Sequence, residues 1–115
     1  MNLLDSFKKS MRAEKHTIKK LKSSNHEEQK EILINADRQC LSTLFSMCKR
    51  TLRAQNCCIS EKQSDLLFKN QDILKDNFLG GHVRKKTKSD LVRALLNVSK
   101  VDNGEVFTTV LKCFH

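Results

Sequence analysis

The sequence predicts an all-α fold, a compact antiparallel helical bundle, on three observations. Its 115 residues include no proline and three glycines, so the punctuation that an all-β chain needs between strands is missing. Apolar residues recur at spacings of three and four along much of the chain, the period that gathers them on one helical face. Short polar breaks with the S-x-x-E or S-x-x-Q spacing of a capping box separate these stretches. A chain of this length fits one domain whose core needs neither disulfides nor metal.

Residues 1–26 read as a basic amphipathic segment ahead of the bundle. Lys8, Lys9, Arg12, Lys15, Lys19, Lys20 and Lys22 outnumber Asp5 and Glu14, and Leu3, Leu4, Phe7, Met11, Ile18 and Leu21 mark a helical stripe broken near Glu14 and Lys15. Three roles suit it: a mobile arm, a helix lying on a membrane surface or nucleic acid, or a helix docked on the core.

The bundle is expected over residues 27–115. Ser24 and Glu27 have the spacing of a helix start, and the longest apolar series follows: Ile32, Leu33, Ala36, Cys40, Leu41, Leu44, Phe45, Cys48 and Leu52. Read as one helix, it is the central support of the core. Ser42, Thr43 and Ser46 mark a bend or split near residue 46, because hydroxyls compete for backbone hydrogen bonds. Asn56 to Ile59 interrupts the pattern, and Ser60 with Gln63 caps a helix starting at about Glu61 that buries Leu66 and Leu67. Ile73, Leu74 and Phe78 extend its apolar face or form a separate helical turn before the loop around Gly80-Gly81.

Ser89 to His115 holds two short helical patterns, one carrying Leu91, Val92, Leu95 and Leu96, the other Val106, Phe107, Val110, Leu111 and Phe114. Asp102-Asn103-Gly104 is the breaker between them. Helices this short need packing partners, since nucleation is unfavourable. The count is four or five helices after residue 25.

Chemistry-bearing constellations are sparse. Cys40, Cys48, Cys57, Cys58 and Cys113 are odd in number and follow no signal peptide, so they read as reduced thiols in an intracellular chain. Cys57-Cys58 and Cys113-x-His115 lack zinc-ligand spacing, and nothing orients His16, His26, His82 or His115 toward a thiol. No phosphate-binding glycine motif occurs. The reading is no enzyme, no cofactor and no metal, and no run approaches the roughly 20 apolar residues of a membrane span.

The formal net charge of +9 attracts acidic protein surfaces, nucleic acid and anionic lipid alike. Its densest stretch is His82 to Lys88, with Arg84, Lys85, Lys86 and Lys88, leading to Arg93. This run is either a solvated loop or a patch for an acidic protein face, a phosphate backbone or a nuclear import receptor. The chain has no Tyr or Trp, which removes the usual stacking surfaces for single-stranded nucleic acid.

In feature order, the chain resembles a caspase recruitment domain of the death-fold superfamily of six-helix bundles. The resemblance is carried by Ala36-Asp37-Arg38-Gln39-Cys40-Leu41 as part of a first helix, by Thr51 to Gln63 as the end of a second helix and its break, and by the segments Lys88 to Leu96 and Asn103 to Leu111. The stretch from Phe68 to Thr87 is longer than the family's connection, and the sixth helix is lacking or altered. The resemblance implies a non-enzymatic adaptor in apoptotic or innate immune signalling. Its partner would be another death-fold domain with an acidic face, or a second copy of this chain. It places Arg38, Lys85, Lys86, Lys88 and Arg93 on a basic face and Glu61, Asp65 and Asp72 on an acidic one. The expected location is cytoplasmic, with nuclear import through Arg84 to Lys88 as the other address. The alternative function is a small basic nucleic-acid-binding or viral accessory protein.

Overall fold

A computed structural model describes residues 14–53 and 60–113. Helix α1 covers residues 14–22, followed by α2 (His26–Asn35), α3 (Arg38–Arg53), α4 (Glu61–Lys69), α5 (Gln71–Phe78), α6 (Lys88–Ser99) and α7 (Glu105–Cys113). Two 3₁₀ turns, Val83–Lys85 and Val101–Gly104, lead into α6 and α7. The fold is an all-α bundle, and no strand occurs among the described residues.

The long apolar series is two helices rather than one. Ala36 is extended, with ψ 149°, and Asp37 starts α3 by accepting the amide of Cys40 at 2.8 Å. The break falls at residues 36–37, not near residue 46. There the Thr43 hydroxyl donates to the Gln39 carbonyl at 3.1 Å and α3 runs on uninterrupted. The start of α2 also lies one residue later than the S-x-x-E spacing indicated. Asn25 and Glu28 form the reciprocal box, while the Ser24 hydroxyl donates to the Lys20 carbonyl and closes α1. Ser60 and Gln63 cap α4 as the spacing predicts. Asn70 then separates α4 from α5, its side-chain amide donating to the Leu66 carbonyl at 2.8 Å. Among the described residues six helices therefore follow residue 25, where four or five were expected.

The centre of the core is α6, which packs against α2, α3, α5 and α7. Leu91, Leu95 and Val98 on its inner face are completely buried, among Leu41, Leu44, Phe45, Leu74, Phe78, Val106, Phe107 and Leu111. Edge-to-face packing of Phe45 on Phe78, with ring centroids 5.4 Å apart, joins α3 to α5. The support role expected of the Glu27 helix thus belongs to α6, with α3 beside it. Residues 14–22 dock on this core through fully buried Leu21 and half-buried Ile18. The rest of the N-terminal stripe, Leu3, Leu4, Phe7 and Met11, lies outside the described residues, as do Cys57, Cys58, Phe114 and His115. Leu66 and Leu67 are half-buried rather than buried, and Phe68 beside them is 77% exposed.

One polar side chain sits at the bottom of the N-terminal corner. Gln29 is completely buried, and the two N–H groups of its amide nitrogen are shared among four acceptors within reach, the carbonyls of Leu21 (3.1 Å), Ser24 (3.1 Å) and Gly104 (3.3 Å) and the Thr108 hydroxyl (2.8 Å). Its amide oxygen accepts the hydroxyl of buried Ser99 at 2.7 Å, and that hydroxyl lies 3.0 Å from His26 Nδ1. One amide therefore ties α1, α2, α6 and the α6–α7 turn together. The turn has consecutive left-handed residues, Asp102 (φ 48°), Asn103 (φ 55°) and Gly104 (φ 89°). A Cβ on Gly104 would stand 2.5 Å from Gln29 Oε1 and 3.0 Å from the His26 amide nitrogen. Gly80, by contrast, has nothing within 4 Å of that position.

Two measurements test this core. In urea denaturation, Gln29→Ala should lose about 3 kcal/mol or more, because buried partners are left without hydrogen bonds. Gly104→Ala should lose more than about 1 kcal/mol, while Gly80→Ala stays within roughly 0.5 kcal/mol of wild type. The second concerns pH. Burial, followed by the charges of Glu14 and Asp37, pushes the Cys40 thiol up from 9.0 to about 11, and burial raises buried Cys48 as well. Below the unfolded thiol value both states hold the proton, so the contribution to stability is complete there. Above it only the unfolded chain ionises, so stability should fall as pH rises through the 9.0-to-about-11 window. Titrating the denaturation midpoint under reducing conditions checks the sign, and alkylation mapped by mass spectrometry should spare both thiols in the folded chain.

A candidate basic interaction face

The basic run, read from the sequence as a solvated loop or a binding patch, leads into α6. Two long cationic side chains hold its backbone. Arg38 Nη2, at the start of α3, donates to the Lys86 carbonyl at 2.8 Å and reaches those of Val83 and Arg84 at 3.3 Å each. Lys49, three turns along α3, donates to the Gly81 carbonyl at 2.8 Å. Between these clamps, the amides of Lys85 and Lys86 close a 3₁₀ turn onto the carbonyls of His82 (3.0 Å) and Val83 (3.2 Å). Gly81, at φ 71°, supplies the left-handed residue that lets the chain turn in. Thr87 and Asp90 then form the capping box of α6, with mutual backbone contacts of 3.1 and 3.2 Å.

This arrangement sorts the five residues proposed for a basic face. Arg38 is exposed, yet its guanidinium is committed to the loop carbonyls and organises the face more than it displays charge. Lys86 is half-buried, with its ammonium 5.3 Å from the centre of the Phe45 ring, a cation–π contact. Lys85, Lys88 and Arg93 are exposed. Five helical residues separate Lys88 from Arg93, a rotation of about 140°, so the two bracket a strip of α6 and do not share one line. Asp90 lies beyond Arg93, about 60° further round the helix. Hydrogen bonding from the Thr87 amide, then from its hydroxyl, and the nearby charges of Arg93 and Lys86 hold its carboxyl below the usual range.

The acidic candidates lie elsewhere. Glu61 and Asp65 are exposed one turn apart on α4, and Asp72 is exposed in the first turn of α5. Asp72 shares a shallow depression with Asp76, Asn77, Asn97 and Lys100.

A second group of cations lies on the other side of the loop. One wall of α3 presents Lys49, Arg50 and Arg53 toward His82, Arg84 and Lys85 of the loop, and these residues with Ser46 and Val83 line a groove of about 580 Å³. Arg50 and Ser46 also border a groove of about 710 Å³ between α1 and α3, where Lys15, Lys19 and Lys22 project. Their spacing in α3, at 49, 50 and 53, was legible as one helical side. What the sequence did not show was the folding of the 82–85 turn against that side.

Among the described residues no helix is long and apolar enough to cross a membrane, and no group of three or more His, Cys, Asp or Glu is placed to hold a metal ion. No protein-family model, curated protein or solved structure matches this chain.

The clamp can be tested directly. Replacing Arg38 with Ala should accelerate amide hydrogen exchange at Lys85 and Lys86 by about tenfold or more, as a local opening would. The global unfolding free energy should move by roughly 0.5 kcal/mol or less, since the side chain is exposed. Unchanged exchange would show that the loop holds its shape without Arg38.

Proposed function

We propose that this chain is a non-enzymatic interaction module that presents a pre-shaped cationic edge, Lys85–Lys88–Arg93, to an acidic face of a partner protein. The observation that carries the reading is the double clamp of Arg38 and Lys49 on the backbone leading into α6. A loop of like charges held in one shape has already lost the conformational freedom that binding would otherwise remove. Charge complementarity of this kind steers association and selects partners more than it adds affinity.

Two further points support a binding role over catalysis. Cys40 lines a groove that His16 also borders, yet burial and neighbouring carboxylates push its thiol up to about 11, the reverse of what activates a nucleophile. The polar groups most deeply buried, Gln29 and Ser99, are engaged in mutual hydrogen bonding.

In its narrower form, taken from the resemblance to caspase recruitment domains, the partner is another death-fold domain and the setting is apoptotic or innate immune signalling. The six helices after residue 25 among the described residues support that form. Against it stands α3, because Ala36–Leu41 and Thr51 were assigned to a first and a second helix but flank or occupy a single continuous one. The broader form does not depend on that mapping. The nucleic-acid alternative draws on the Lys15, Lys19 and Lys22 groove beside α3.

Lys88→Glu combined with Arg93→Glu should reduce capture of acidic partners from a panel of isolated death-fold domains to background. Helical circular dichroism and the melting transition should remain those of wild type. Undiminished capture would remove this surface assignment. Wild-type binding to duplex DNA that weakens steeply with salt, together with no domain captured, would replace the proposal with the alternative.

A further inference from the structure

The groove between α3 and the His82–Lys85 turn adjoins the outer edge just described, shares Lys85 with it, and has a different chemistry. It is concave, about 580 Å³ in volume, and no Asp or Glu is among its lining residues. Arg53 and Lys49 face it from α3, and His82, Arg84 and Lys85 face it from the turn. Arg53 has an ordinary structural explanation, since a cation in the last turn of a helix complements the helix dipole. The opposite wall has none. The fold brings Arg84 and Lys85 against α3 although their charges repel those of the helix, and it fixes them there through the Arg38 clamp on the Arg84 and Lys86 carbonyls.

The charged side chains that line this groove are all lysines and arginines, donors suited to an anion. Lys49 gives one of its three N–H groups to Gly81, leaving two for a ligand. Two guanidinium forks on opposing walls match phosphate oxygens better than single carboxylates, because each can bind two oxygens of one phosphate. The volume lies within the roughly 300–1,000 Å³ of small-molecule sites. A duplex would need a longer, flatter cationic track, and single strands would need stacking surfaces in a chain without Tyr or Trp.

We propose that this groove is a binding site for a compact ligand carrying clustered phosphates, with Arg53 and Arg84 gripping it from opposite walls and Lys49 and Lys85 completing the charge. The free ligand would be a soluble polyphosphorylated molecule. The same chemistry is offered by a phosphorylated lipid headgroup. The site shares Lys85 with the partner-binding edge but can be tested apart from it, because Arg53, Arg84 and Lys49 are not part of that edge and Lys88 and Arg93 do not line the groove.

The test uses the full chain and inositol hexakisphosphate as probe, in calorimetric titration at about 150 mM salt. Wild type should bind, Arg53→Glu with Arg84→Glu should weaken binding by about tenfold or more, and Lys88→Glu with Arg93→Glu should leave it within about twofold. Should charge reversal lower the melting transition, Arg53→Gln with Arg84→Gln repeats the measurement without like-for-opposite charge. Sedimentation with phosphatidylcholine vesicles carrying phosphatidylinositol bisphosphate, against charge-matched phosphatidylserine vesicles, identifies the source. Retention on the former alone assigns the lipid headgroup, and binding only in solution assigns the free polyphosphate. Three results overturn the proposal: no binding to hexakisphosphate or to phosphoinositide vesicles, equal losses in both double variants, or displacement of the probe by duplex DNA at equal phosphate concentration.

Discussion

Everything at the N-terminal end of the bundle depends on one buried amide. Gln29 reaches the closing turn of α1 through Leu21 and Ser24, α6 through Ser99, and the start of α7 through Gly104 and Thr108. The bonds to Leu21, Gly104 and Ser99 are buried, where an unmade hydrogen bond costs about 1–3 kcal/mol, and those to Ser24 and Thr108 are part-buried. Among the described residues no buried side-chain polar atom is left without a partner. The amide specifies where α1 and the α6–α7 turn meet, a choice that leucines at the same place would leave open. Gly104 is the matching constraint, since only a residue without Cβ lets the turn come this close.

The helices that were legible in the sequence are those whose apolar period and caps agree. Leu91, Leu95, Val106, Phe107 and Leu111 declared the faces of α6 and α7, and Ser60 with Gln63 declared the start of α4. The boundary between α2 and α3 was hidden because Leu33, Ala36 and Cys40 keep helical spacing across it. Both helices turn their apolar side to the same α6, so the period survives while the backbone breaks. Only Asp37, a side-chain cap without a reciprocal partner, marked the place. Gln29 was invisible for a related reason. A polar residue in an amphipathic helix is assigned to the solvent side unless its distant partners are known, and Ser99, Gly104 and Thr108 lie at least 70 residues away.

The basic face was legible as charge and illegible as shape. Composition marked His82 to Lys88 as the densest cationic run, yet it could not show that two cations from α3, Arg38 and Lys49, would hold that run by its carbonyls. Cations gathered in one region repel one another, and the effect is softened when some donate to carbonyl oxygens or rest on an aromatic ring, as Lys86 does on Phe45. The division of labour follows from reach. Arg38 and Lys86 shape the surface, Lys49 both holds the loop and faces the groove, and Lys85, Lys88, Arg93, Arg84 and Arg53 remain presented.

The hydrogen bonds of Gln29 to Ser99, Gly104 and Thr108 span 70, 75 and 79 residues of chain. During synthesis the segment containing α1 and α2 is finished long before its partners exist. Until Thr108 has emerged, the corner around Gln29 cannot close, and Leu21 and Leu33 lack the surface that covers them. Among the described residues, α1 and α2 are therefore made well before the groups that secure them.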